Sequence, residues 1–359
     1  MHNIFGPRLS FLNFTLSLSE IWALHIYAHT LTMIIDVARH KFYEGLFTLF
    51  ATALTMIVFV AMGIGEDVAM PEPYSLSMPL VHDATFGSGF LEGLIIVILY
   101  AIGVLTLSRA TLRTHIYPSD TMAAMALSAV MTLPMIVGGC ALRETVVALC
   151  TSVALGNMLL CYGPRKSPHR LFGAMLAAGM LATVEASLMV VPLTMGIALV
   201  FARKRLREAM IVAVGMLLPL FTAFYIAWLG GEEFGECALA WWRSAYIPLE
   251  LNSLDSISIP RLAFFGFVLI LQIVASVLHI AQRDSLTSQR RGIWRALHLI
   301  FVVAACAFVF MPAASGSLLT VAVITSATML PTFFVCNSAM LSALSYVALC
   351  ALAIAASLQ

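Results

Sequence analysis

Fifteen of the nineteen lysines and arginines lie in five tight clusters, and between the clusters the chain is nearly pure hydrocarbon. The clusters are Arg39/Lys41, Arg109/Arg113, Arg165/Lys166/Arg170, Arg203/Lys204/Arg205/Arg207 and Arg283/Arg290/Arg291/Arg295. A bilayer core offers no water to backbone N–H and C=O groups, so apolar runs of this length must become helices. Short loops rich in Lys and Arg stay on the cytoplasmic side. The pattern therefore predicts an all-α fold, a polytopic transmembrane helical bundle, and fixes the direction of each helix.

Composition agrees. Hydrophobic residues make up 61% of the 359 and charged residues 10%, against roughly 25% charged in soluble domains. A net charge of +1, with the basic clusters serving as anchors of separate loops, implies no nucleic-acid partner, which needs a concentrated basic face. Of the seven cysteines, only Cys237 falls in a long polar stretch, and no CxxC or zinc spacing occurs. There is no Walker A, GxSxG, HExxH or CxxCH motif, and no cofactor is expected.

A spanning helix needs about 20 mostly apolar residues. Candidates are 43–64, 89–108, 119–139, 144–162, 209–229, 261–281, 296–312, 317–335 and 338–357. With the basic clusters inside, loops 65–88 and 230–260 lie outside, and the C-terminus is extracytoplasmic. Only Arg143, Arg243 and Arg261 then fall on the outer side, beside Arg8 of open placement, while eleven acids do.

Residues 171–202 break the simple pattern. They are apolar apart from Glu185, yet a basic cluster flanks each end. One straight helix would overrun a core of about 30 Å and place one cluster on the wrong side. A short two-helix hairpin, 171–184 and 187–202, meets both constraints and puts Glu185 at the tip. The count is then about 9–11 spans. Small residues at Gly173, Ala174, Ala177, Ala178 and Ala182 suit close helix packing, and Pro192 is expected to kink the second arm.

The domain reading is one membrane-embedded helical unit, 43–359, preceded by an amphipathic or interfacial segment, 1–42. Met33 is an alternative start. Whether 11–35 spans the membrane is open. On a helix His25, His29, Asp36 and His40 share one face, and His25/His29 have the i, i+4 spacing of metal ligands. The plainer alternative is the polar face of a helix lying in the interface, with Trp22 and Tyr27 as anchors.

Glu185 is the first candidate for chemistry, because an intramembrane carboxylate is costly. The alternative is a carboxylate that caps the turn. A second candidate site combines Asp67, Asp83 and Arg243, with Trp241, Trp242 and Tyr246, on the outer side. Aromatic rings stack on sugars, Arg pairs with phosphate and a carboxylate serves as base. The alternative is a solvated acidic surface with an aromatic patch resting on the membrane.

The stretch from Arg170 to Glu185, then Pro192, Arg203-Lys-Arg-Leu-Arg-Glu208 and Gly215-Met-Leu-Leu-Pro219, resembles an uncharacterised family of multi-pass inner-membrane proteins of Bacteroidota. The family shares the order of a basic loop, an aromatic-small-small helix, a Pro-containing arm, a second basic loop and a Gly-x-x-x-Pro span. Glu185 departs from its pattern, which is apolar or aromatic there. The resemblance implies residence in a bacterial inner membrane and carries no known activity. Three functions remain in play. The first is an envelope-assembly factor acting on a lipid-linked glycan at the outer face, with Asp67, Asp83 and Arg243. The second is a proton-coupled transporter using Glu185. The third is a non-catalytic membrane partner of an envelope complex. The partners expected are the lipid bilayer, a lipid-linked substrate or other membrane proteins.

Overall fold

The computed structural model describes residues 42–61, 89–117, 121–137, 141–162, 167–203, 205–245, 258–281, 286–311 and 316–358. Every regular element among them is helical. In chain order these are α1 (Phe42–Ala61), α2 (Gly89–Thr114), α3 (Ala123–Val137), α4 (Ala141–Cys161), α5 (Pro168–Val184), α6 (Val190–Arg203), α7 (Leu206–Leu229), α8 (Phe234–Ser244), α9 (Ile259–Ala281), α10 (Ser288–Phe310), α11 (Gly316–Met329), α12 (Pro331–Cys336) and α13 (Ala339–Ser357). Seven helices are long and apolar enough to cross a membrane, with shorter apolar helices at Glu44–Ile57, Ala123–Val137 and Ala186–Ala202. The outer faces of α7 and α9 carry rows of exposed Leu, Ile, Val, Met and Phe, a surface that only lipid covers without penalty. The chain is a multi-pass membrane helical bundle.

The overlong run folds as a hairpin. α5 rises from Pro168 to Val184, a 3-10 turn spans Ala186–Met189, and α6 returns from Val190. At 1.5 Å per residue α5 reaches about 25 Å, so the tip lies deep in the bundle. Pro192 does not kink the second arm as expected. The 3-10 turn delays α6 to Val190, which puts Pro192 in the first helical turn, where its missing N–H costs nothing.

The small residues of α5 pack on α7. A Cβ built on Gly179 would lie 2.5 Å from the Met216 carbonyl oxygen, and one on Gly215 would lie 2.9 Å from Met175 Cβ. The two glycines let the backbones meet, and Pro219 borders the same contact.

The span expected at 317–335 is present as Gly316–Cys336, with a break at Leu330 where Pro331 has no N–H to continue α11 and the short α12 starts. One further expectation changes. The polar stretch 230–260 contains a helix, α8, and Cys237 is buried in it, donating to Glu232 Oε2 at 2.6 Å.

At the centre stand α3 and α11, buried on all sides. In the α11–α12 span 94% of the apolar window is buried, against 33% for α7 and for α9. A helix enclosed by protein can carry hydroxyls, provided each finds an acceptor. Thr325 and Thr328 donate to carbonyls of their own helix, at 2.8 and 2.6 Å. Three other hydroxyls of α11 leave the helix, and they mark the polar sites of the molecule.

Candidate functional site

The first site lies at the end of the bundle away from the basic clusters. Ser317 Oγ donates to Glu144 Oε1 at 2.7 Å, and Thr320 Oγ1 donates to Glu144 Oε2 at 2.6 Å. The i, i+3 spacing aims both hydroxyls from one face of α11 at one carboxylate. Glu144 sits in the first turn of α4, and Ser317 in that of α11. Arg143 Nε is 3.7 Å from Glu144 Oε1 and has no hydrogen-bond partner among the described residues. Arg261, near the start of α9, lies at the same end of the bundle. Thus one of the three arginines that the charge pattern leaves on the outer side sits beside a buried carboxylate.

The second site lies at the basic end. His279 stacks on Trp294 with ring centroids 4.2 Å apart, and His298 lies 5.9 Å from each. His298 Nδ1 is 2.8 Å from the Trp294 carbonyl oxygen, and Nε2 is 2.9 Å from Ser276 Oγ. Ser276 Oγ is also 2.7 Å from the Gln272 carbonyl oxygen. Its single proton has two acceptors in reach. When His298 is neutral with its proton on Nδ1, Ser276 donates to Nε2. When His298 is charged, both ring nitrogens donate and Ser276 turns to Gln272. Beyond it, Ser326 Oγ of α11 donates to Gln272 Oε1 at 2.9 Å, and Gln272 Nε2 reaches Met329 Sδ at 3.2 Å.

α11 joins the two sites. Thr320 and Ser326 are six residues apart, about 9 Å along the axis, and face different neighbours, α4 and α9. An open pocket of about 430 Å³ exposes the basic end of this series, lined by His279, Arg291, Trp294, Arg295 and His298 together with Ile280, Leu299 and Val302.

The residues singled out from sequence fall elsewhere. Glu185 is buried at the hairpin tip, where its backbone N–H closes α5 onto Leu181 O at 3.1 Å and its carbonyl accepts from Leu188 N–H at 3.2 Å. Its carboxylate accepts from Ser187 Oγ. Trp241 is buried, and its indole N–H donates to Ala182 O at 2.8 Å, which seats α8 on the hairpin tip. Trp242 and Arg243 remain exposed on α8. Asp67, Asp83, His25 and His29 lie outside the described residues. Among the described residues no three His, Cys, Asp or Glu side chains are grouped to hold a metal ion.

Sequence spacing marks none of Glu144, Arg261, Gln272, His279 and His298 as a site, and places Arg143 only in an outer turn. The usable signal was that arginine, on the side where arginines are rare. The two histidines, nineteen residues apart on different helices, give no spacing to read.

Comparison with protein families, characterised proteins and solved structures finds no match to this chain.

Proposed function

We propose that the protein is an inner-membrane transporter that couples movement of a small polar solute to protons. Support comes from polar groups buried along α11 from Ser317 to Thr328, since such groups are costly in lipid and face pathways. The observation that carries the proposal is the Ser276 hydroxyl, whose direction depends on the charge of His298. A proton arriving at the basic end thereby changes a hydrogen bond on the α9 face that holds α11. At the other end, taken as extracytoplasmic from the basic asymmetry, Glu144 accepts from Ser317 and Thr320 and so ties α4 to α11 as a closed contact. Glu185 moves from coupling group to structural residue in this scheme, because its backbone builds the tip and its side chain faces Ser187.

The test is solute-driven proton uptake in proteoliposomes carrying an internal pH dye, screened over sugars, amino acids and nucleosides. One solute class is expected to drive uptake with the wild-type chain and not with His298→Gln. Equal uptake by both proteins, or none with any class, would remove the proposal.

Exposed Trp242 and Arg243, held at the surface by the buried Trp241, favour a second reading: an envelope-assembly factor that engages a lipid-linked glycan at the outer face. Unchanged surface glycans in the native bacterium carrying Trp242→Ala with Arg243→Gln would sink it.

A further inference from the structure

The pocket at the basic end of α9 and α10 has a lining that proton movement does not require. Arg291 and Arg295 lie four residues apart on α10, so both guanidinium groups serve one side of it. Among the described residues neither arginine is in an ion pair. The buried Trp294 and the His279 stacked on it form a flat wall. Ile280 borders the pocket at the basic end, and toward the middle of the bundle the lining turns apolar along α10, with Leu299 and Val302; all three are exposed. A cationic half at the level of the basic clusters and an apolar half below it describe one kind of occupant. We propose that this pocket binds a phosphate-headed lipid of the leaflet that meets the basic clusters. Arg291 and Arg295 hold the phosphate, and an acyl chain lies along Leu299 and Val302. Arginine suits this task because its planar fork presents paired N–H donors to phosphate oxygens, and basic pockets between membrane helices are a recurring lipid-headgroup device. The volume of about 430 Å³ holds a headgroup and the first part of a chain, with the rest continuing into the bilayer. The lipid would share this pocket with His298, yet its binding is tested apart from transport, since the readout needs neither a proton on His298 nor a gradient.

The test uses the full chain in a neutral detergent and reads thermal unfolding against added phosphatidylglycerol, phosphatidylcholine and inorganic phosphate. Phosphatidylglycerol is expected to raise the midpoint, with apparent affinity falling about tenfold or more in Arg291→Gln/Arg295→Gln. Val302→Trp, which fills the apolar half and spares both arginines, is expected to weaken it as well. An equal response to inorganic phosphate would mean that the site takes free phosphate and would overturn the lipid assignment. So would a phosphatidylglycerol response that survives both variants, or an equal response to the zwitterionic lipid that neither variant reduces.

Discussion

Thr320 donates its hydroxyl hydrogen to Glu144 Oε2 at 2.6 Å across the α4–α11 contact. The bond joins a carboxylate in the first turn of one helix to a hydroxyl on a helix that has no polar side of its own. Its worth depends on the charges beside it. Glu144→Ala leaves the buried Arg143 without its counter-charge, and removing one partner of a buried ion pair typically costs about 3–5 kcal/mol. Thr320→Val and Ser317→Ala each remove one bond to a charged acceptor, about 1.5–3 kcal/mol. Because the three act on one group, the losses are expected not to add: Thr320→Val should cost far less in a Glu144→Ala background. Unfolding of the purified chain in detergent, measured over this cycle, checks the relation. Additive losses would show that Glu144 and Thr320 do not interact.

The α5–α7 contact yields a second expectation. A Cβ on Gly179 would meet a backbone carbonyl oxygen, which cannot move aside as a flexible side chain can. Gly179→Val should therefore destabilise by about 1–3 kcal/mol through overpacking, visible as a lower unfolding midpoint and reduced yield of monodisperse protein. Gly266 on α9 has nothing within 4 Å of a built Cβ. Gly266→Ala should be neutral or slightly stabilising, since Ala is the better helix former by about 1 kcal/mol.

The seat of α8 on the hairpin tip gives a third. Trp241 lies against Phe224 edge to face, with centroids 6.0 Å apart, and bonds Ala182 O. Cys237 is buried in the same cluster, with Ala182, Ala186, Leu220 and Phe224. Trp241→Ala removes the anchor and should open Cys237 to solvent. Labelling by a membrane-impermeant maleimide, applied from the outer side to a variant with the other cysteines replaced, should rise several-fold over Trp241→Phe. Equal, slow labelling of both would mean that α8 is held by other contacts.

The hairpin was legible because two independent constraints met there: a run too long for one crossing, and basic residues at both of its ends. Glu185 drew attention for the same reason, as the single charge in an apolar stretch. Glu144 drew none, since at the start of a span beside Arg143 it reads like any residue of an outer turn. Burial by α11 is a tertiary fact, and only the density of Ser317, Thr320, Thr325, Ser326 and Thr328 on one uncharged helix hints at it. Trp241 and Trp242 were read together as an outer patch. Vicinal residues on a helix point about 100° apart, so one of the two had to turn inward once 234–244 became helical. The relation of His279 to His298 was out of reach, because it depends on how α9 and α10 pair.

Ser276 offers the sharpest check on proton coupling. Its hydroxyl sits between His298 Nε2 at 2.9 Å and the Gln272 carbonyl oxygen at 2.7 Å. If His298 charges and Ser276 turns, the transport rate must depend on pH, and the dependence must vanish with His298→Gln. Ser276→Ala leaves His298 in place and removes the hydroxyl that passes its state to the α9 face. It should slow transport by about a hundredfold, the low end of what a positioned proton-transfer group contributes, and Ser276→Thr should restore much of the rate by returning a hydroxyl. Folding is not expected to separate these variants, since losing one hydroxyl costs only about 1 kcal/mol. A pH profile identical in wild type, His298→Gln and Ser276→Ala would show that this hydrogen bond is structural and that protons, where they move, take another path.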